Sequence, residues 1–251
     1  MGLVICKLEP GRHGVSPRHV ARAGEVWRLL QTLATEASVV GGWHPRRYVE
    51  ENCGFVVAAM AVRHHGELPS TVAVEGRTWV SQVLRGTLFR RELGLYDADG
   101  RPLVEATQDW VHVKRGPEGG WKPGRAAPSL IEAFALRSPG PLVVEPLPAP
   151  PRATAPWEFA VWHGWMDPQA HVNHPTYVDW CDEALAREEA AAGRDPQGLV
   201  PVSEHLRWKG AFVGGEAVSL STEVEGEVSH HAIRSGEELR VSARLVRRRL
   251  G

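Results

Sequence analysis

Ten of the chain's 19 prolines fall between Pro117 and Pro156. Proline has no amide proton to give a sheet ladder, so this stretch cannot be a central strand and reads as a crossing segment. It divides the 251 residues into 1–115, a Pro-rich linker at 116–156, and 157–251. A short helix over Ser129–Leu136 (Leu130, Ile131, Phe134, Ala135) is expected to pin the linker down.

The two flanks share one order of elements. In the first, Val26, Leu29, Leu30, Leu33 and Ala37 recur at helical spacing within Pro17–Val40, and Gly41-Gly42 supplies the stop. Strands are expected at Gly54–Arg63, Thr71–Leu84, Leu88–Tyr96 and Leu103–Lys114, with a tight turn at Asp97-Ala98-Asp99-Gly100. In the second, a helix over Pro175–Ala192 precedes strands at Pro201–Lys209, Ala217–Val224, Val228–Ser235 and Glu238–Arg248. A helix followed by an antiparallel meander, twice over, is an α+β pattern.

The loops before the helices also align. Glu9–Val20 aligns without a gap on Asp167–Val178, both reading acid-Pro-x-x-His-x-x-x-Pro-x-x-Val, an offset of 167 − 9 = 158 residues. That suggests duplication of a unit that once paired with itself, and leaves Glu9 and His13 as either a second, pseudosymmetric site or, the favoured reading, a vestigial structural loop in which Ser16 is a plain N-cap.

The run Trp165 to Trp180 concentrates the chemistry. Asp167 is followed by Gln169, His171, Asn173, His174 and Tyr177 as the chain enters a helix. A carboxylate and an imidazole beside a helix start suit a reaction that needs a base and a stabilised oxyanion, with helix N–H groups as donors. Asn173 is the natural N-cap.

This run resembles the Asp-x-Asn-x-His-Val-Asn-Asn-x-x-Tyr-x-x-Trp signature of acyl-ACP thioesterases, and the looser Asp-x-x-Gly-His-Val-Asn-x-x-x-Tyr motif of hotdog thioesterases, the 4-hydroxybenzoyl-CoA thioesterase-like group among them. In the first half, Thr78-Trp79-Val80, Arg90-Arg91, Gly100-Arg101-Pro102-Leu103 and Ala106-Thr107-Gln108-Asp109-Trp110-Val111 are similar to the acyl-ACP thioesterase series in the same order. The resemblance implies a tandem (double) hotdog, each half a long helix wrapped by an antiparallel sheet. It implies a thiolester hydrolase of fatty acid biosynthesis, with an acyl carrier protein or CoA thioester as substrate. Asp167, His171 and Gln169 would be catalytic, and Asn173, His174 and Tyr177 would bind substrate. It also implies an internal pseudo-dimer, with a further homodimer left open. The family's Tyr-Arg-Arg-Glu-Cys strand corresponds to Leu206-Arg207-Trp208-Lys209-Gly210-Ala211, which has neither Glu nor Cys. A Cys-dependent mechanism therefore does not carry over, and a non-catalytic acyl-thioester-binding or biosynthetic accessory protein is the alternative.

Bulk properties exclude little else. Lys+Arg 29 against Asp+Glu 30 favours neither nucleic acid nor a membrane surface. Cys6, Cys53 and Cys181 lack CxxC spacing, and no HExxH occurs, so neither metal nor cofactor is expected and a reducing cytoplasm fits. Arg240, Arg244 and Arg247-Arg248-Arg249 form a basic cluster that could face a carrier protein or the phosphates of CoA.

Overall fold

The computed structural model describes residues 3–134, 136–148 and 155–250, so Ala135 of the expected linker helix and residues 149–154 of the linker, Pro150 and Pro151 included, lie outside the described residues. The chain forms two compact units. The first comprises the residues up to Glu9, Arg28–His65 and Thr71–Val144; the second comprises Pro10–Trp27, Gly66–Ser70 and the chain from Glu145 on.

The first unit is built from β1 (Val4–Leu8), α1 (Ala23–Val40) from Arg28 on, α2 (Pro45–Glu50), β2 (Cys53–His64), β3 (Val74–Leu84), β4 (Leu88–Tyr96), β5 (Pro102–Arg115), β6 (Trp121–Pro123) and α3 (Pro128–Ala133). Its antiparallel strands run in the order β1-β3-β4-β5-β2, with β6 paired to β5. Leu30, Leu33 and Ala34 on α1 are completely buried, as the i, i+3, i+4 spacing requires. Residues 91–95 of β4 are all buried, so this sheet is covered on both faces there. The second cover is the Pro-rich segment. Arg137 N donates to Val80 O at 3.0 Å, Trp79 Nε1 to Ser138 O at 2.8 Å, and Thr107 Oγ1 to Leu142 O at 3.2 Å. Its prolines keep this stretch from adding a long strand, and it is held by single bonds to the strands it crosses.

The second unit contains β7 (Trp157–Ala160), α4 (Thr176–Ala191), β8 (Leu199–Trp208), β9 (Ala217–Glu225), β10 (Val228–Ser235) and β11 (Glu238–Arg249). Its antiparallel strand order is β8-β11-β10-β9-β7. Tyr177, Val178, Trp180, Cys181, Ala184 and Leu185 on α4 are buried.

Several expectations need correction. The first long helix begins at Ala23 rather than Pro17, because residues 15–21 form a closed turn with a Val15–Ala21 bridge. The short edge strands β1 and β7 and the helix α2 carry too little periodicity to be read from sequence. Three arginines of the basic C-terminal cluster, Arg240, Arg247 and Arg249, are paired with carboxylates. Arg247 is 3% exposed and pairs with Asp182 at 2.8 Å and Glu204 at 2.6 Å. Glu204 also accepts from Trp27 Nε1 at 3.2 Å. Arg249 and Arg194 share the carboxylate of Glu189, which they hold well below the usual range. Arg240 bonds Glu216 at 2.9 Å and Ala211 O at 2.6 Å. Carboxylates as buried as Glu189 and Glu204 need such partners, so these arginines serve the fold.

Candidate active site

Asp167 opens a tight loop that its own side chain organises. Oδ1 accepts from Gln169 N at 2.8 Å and His171 N at 3.4 Å, while Asp167 N donates to His171 O at 2.8 Å and Ala170 N to Asp167 O at 3.0 Å. Ala170 sits at φ 61°, the left-handed conformation that lets the chain reverse within four residues. Among the described residues nothing donates to Asp167 Oδ2, and the residue is only half-buried. One carboxylate oxygen thus fixes the loop, and the other takes no hydrogen bond from the described residues.

A second segment clamps this loop. Val172 N donates to Phe212 O at 2.9 Å, and Phe212 N donates to Tyr177 Oη at 3.2 Å. Gly214 N donates to Met166 Sδ at 2.8 Å, and a Cβ at Gly214 would lie 2.5 Å from His163 Nδ1. Only glycine lets the strap approach so closely. Glu216 completes the strap, accepting from Val213 N at 3.1 Å and Ser235 Oγ at 2.7 Å. Nothing in the Asp167 motif signalled the strap from Phe212 to Glu216.

Asp167, Gln169, His171 and Asn173 therefore share one turn. The His171 backbone serves the loop, and its ring makes no hydrogen bond to the described residues. His174 packs between Trp27 and Trp208, with ring centroids 6.2 and 6.3 Å away, and burial lowers its pKa to about 3, so it is neutral. Tyr177 is 1% exposed; burial raises its pKa, and its oxygen is already occupied as an acceptor.

Two local expectations fail here. The α4 N-cap is Pro175, with no side-chain cap, and it is the Asn173 main-chain carbonyl that accepts from Thr176 N at 2.9 Å. The N–H groups of Tyr177 and Val178 turn back on His174 O and Pro175 O at 3.4 and 3.1 Å. These first-turn donors are spent on the preceding loop, so α4 offers its dipole rather than free N–H groups.

The proposed repeat of this loop is real, but its register differs. Ser16 N donates to Val20 O at 2.8 Å and His19 N to Ser16 O at 2.9 Å, and His19 has φ 60°. Arg22 N meets Gly14 O at 2.8 Å as Asn173 N meets Trp165 O at 2.9 Å. These bonds superpose the loops at an offset of 167 − 16 = 151 residues, not 158. Ser16 takes the place of Asp167, and Val20 that of His171. Glu9 and His13 both lie exposed outside the turn, so the second site has no carboxylate at the equivalent position. The shared signal was the pair Ser16-Pro17 and Asp167-Pro168.

No protein-family model and no curated protein matches the sequence. Solved structures do match. A protein from Lactobacillus plantarum described as an oleoyl thioesterase aligns over 99% of this chain and 97% of its own, with TM-score 0.83 and 17% identity. An acyl-ACP thioesterase from Bacteroides thetaiotaomicron aligns over 98% of each chain, with TM-score 0.82 and 16% identity. The 12:0-ACP thioesterase from Umbellularia californica aligns over 99% and 98%, with TM-score 0.81 and 15% identity. The chain has the acyl-ACP thioesterase-like double hotdog fold. In this double hotdog the Asp167 loop lies in the second unit. Among the described residues no three His, Cys, Asp or Glu side chains gather as metal ligands, and no helix is long and apolar enough to cross a membrane.

Proposed function

We propose that the chain is a thiolester hydrolase that cleaves an acyl thioester carried on ACP or CoA, with Asp167 as general base or nucleophile. The observation that carries this reading is the split role of the Asp167 carboxylate: Oδ1 is held by two main-chain N–H groups and Oδ2 is open, on a fold shared with acyl-ACP thioesterases. Water attacking the thioester carbonyl gives its proton to Oδ2, and the tetrahedral intermediate collapses with expulsion of the thiolate, which takes up that proton. His171 orients the carbonyl, and Gln169 holds the water beside the carboxylate. The dipole of α4 favours the developing negative charge. Asn173 and His174 contact the thioester arm, and Tyr177 acts from behind, through Phe212. One chain is taken as the active unit.

Asp167→Asn keeps the turn acceptor and removes the base. It should lower kcat on octanoyl-CoA or octanoyl-ACP by about 10²–10⁴-fold with the fold unchanged by circular dichroism. His171→Ala should cost less. Wild-type turnover in folded Asp167→Asn would refute the assignment. A second reading, acyl-thioester binding without hydrolysis, is favoured by the loop-capping use of Oδ1 and by the missing Glu-Cys pair. Binding of acyl-CoA or acyl-ACP by a wild-type protein that turns neither over would select it.

A further inference from the structure

The stretch that leads into the Asp167 loop carries an aromatic surface that the proposed reaction does not use. Trp162 is 70% exposed. Its indole lies parallel to that of Trp165, with ring centroids 5.0 Å apart and 7° between the planes. Trp165 is fixed in turn. Its ring meets Phe159 and Trp180 at 88° and 66°, its N–H donates to Trp162 O at 3.0 Å, and its carbonyl accepts from Asn173 N at 2.9 Å. Trp162 is thus oriented from one side by a residue bonded into the Asp167 loop. Among the described residues no second ring meets it, so its other face is left to water.

The row of rings continues within the same unit and ends on a cation. Phe159 stacks on Trp157 at 4.3 Å, and the Arg187 guanidinium carbon stands 4.5 Å from the Trp157 ring centroid. Arg187 is exposed and gives only its Nε to Glu183, at 2.9 Å, which leaves its terminal nitrogens without a partner among the described residues. An indole stacked on one face and wet on the other has a flat surface for one more ring. A nucleobase matches that surface, because every base has a π-face, whereas an alkyl chain has no plane to offer. The free end of the guanidinium suits the phosphates that a nucleotide brings with its base. Of the two carriers of an acyl thioester, CoA has a purine base, and the arm of a carrier protein has none. Trp162 precedes Asp167 by 167 − 162 = 5 residues, a separation of at most about 18 Å in extended chain, which a flexible pantetheine arm can cover.

We infer that Trp162, backed by Trp165, is a stacking site for the adenine ring of CoA, with Arg187 as a partner for its phosphates. This rests on the thioester reading of the Asp167 loop and selects CoA over ACP as the carrier.

Calorimetric titration of CoA and of 4′-phosphopantetheine, which lacks the adenine nucleotide, into the full chain tests it. The wild type should bind CoA at least fivefold more tightly, the lower end of the roughly 5- to 100-fold that stacking one base on a ring contributes. Trp162→Ala should weaken CoA by at least fivefold and leave 4′-phosphopantetheine unchanged. Trp162→Phe, which keeps a flat face, should retain a preference for CoA. Because Trp162 is exposed, circular dichroism should report the wild-type fold in both variants. Equal affinity of the two probes for the wild type, or undiminished CoA affinity in Trp162→Ala, would overturn the site. So would a Trp162→Ala variant whose only change is a lower mass in solution, which would assign the indoles to a second copy of the chain. CoA carries no acyl group, so its binding does not depend on hydrolysis. A wild type that hydrolyses octanoyl-ACP but binds both probes alike refutes this site alone, and one that binds CoA through Trp162 but hydrolyses no thioester refutes the Asp167 assignment alone.

Discussion

Acidification to pH 5 should weaken this fold through buried imidazoles, and His231 is the one to test. Its side chain is 0% exposed, with Nδ1 3.0 Å from Thr222 Oγ1 and Nε2 2.9 Å from Ser229 Oγ. Burial, reinforced by the nearby Arg247 charge, lowers its pKa to about 3. An unfolded histidine titrates near pH 6.5, so between roughly 3 and 6.5 the unfolded chain binds a proton that the native state refuses. The stabilisation is complete above the unfolded pKa and is lost as pH falls. The slope is about 1.4 kcal/mol per pH unit for each such group, which integrates to about 1.9 kcal/mol between pH 7 and 5. His174, also lowered to about 3 by burial, adds a similar amount, for a total of about 4 kcal/mol. The buried His112 is shifted in the same direction by burial and adds to the loss. Urea unfolding followed by circular dichroism at pH 7, 6 and 5, at constant ionic strength, measures the loss. His231→Gln keeps hydrogen-bonding capacity but cannot take up the proton, and its loss should be smaller than that of the wild type by about 1.9 kcal/mol. A wild type with flat stability over this range, or a His231→Gln loss equal to that of the wild type, would refute the reasoning.

Arg247→Met should destabilise the chain by about 3–5 kcal/mol in chemical denaturation, because the buried Glu204 and the partly exposed Asp182 would keep their charges without a partner. Tyr177→Phe removes the acceptor of the buried Phe212 N–H and should cost about 1–3 kcal/mol; it should also lower kcat more than it changes KM, since the strap positions Asp167 rather than touching substrate. Gly14→Ala should lower the melting temperature measurably, because a Cβ there overlaps the buried Glu25 side chain; Gly14→Ala combined with Glu25→Ala should recover part of the loss.

The helices and the principal strands were legible because their determinants are local. The stripe of α1 through Leu30 and Leu33 and the Asp97–Gly100 turn, where Asp97 Oδ1 accepts from Asp99 N at 2.9 Å and Arg101 N at 2.8 Å, depend on residues a few positions apart. The Asp167 turn was legible for the same reason, since its carboxylate binds main-chain groups two and four residues ahead. Strands β1 and β7, five and four residues long, exist only because a neighbouring strand supplies their ladder, and no local pattern announces that. Prolines could say where a central strand was impossible, but not that the segment would cover the face of β4. The register of the repeated loop was missed because four shared residue types over a dozen positions weigh little against main-chain hydrogen bonds, which superpose Ser16 on Asp167. The fates of Arg91 and Arg247 were equally closed to the sequence. Both are arginines on a strand, yet one meets the carboxylates of Asp182 and Glu204 and the other none among the described residues, because the partners of a buried charge come from elements brought together only by folding.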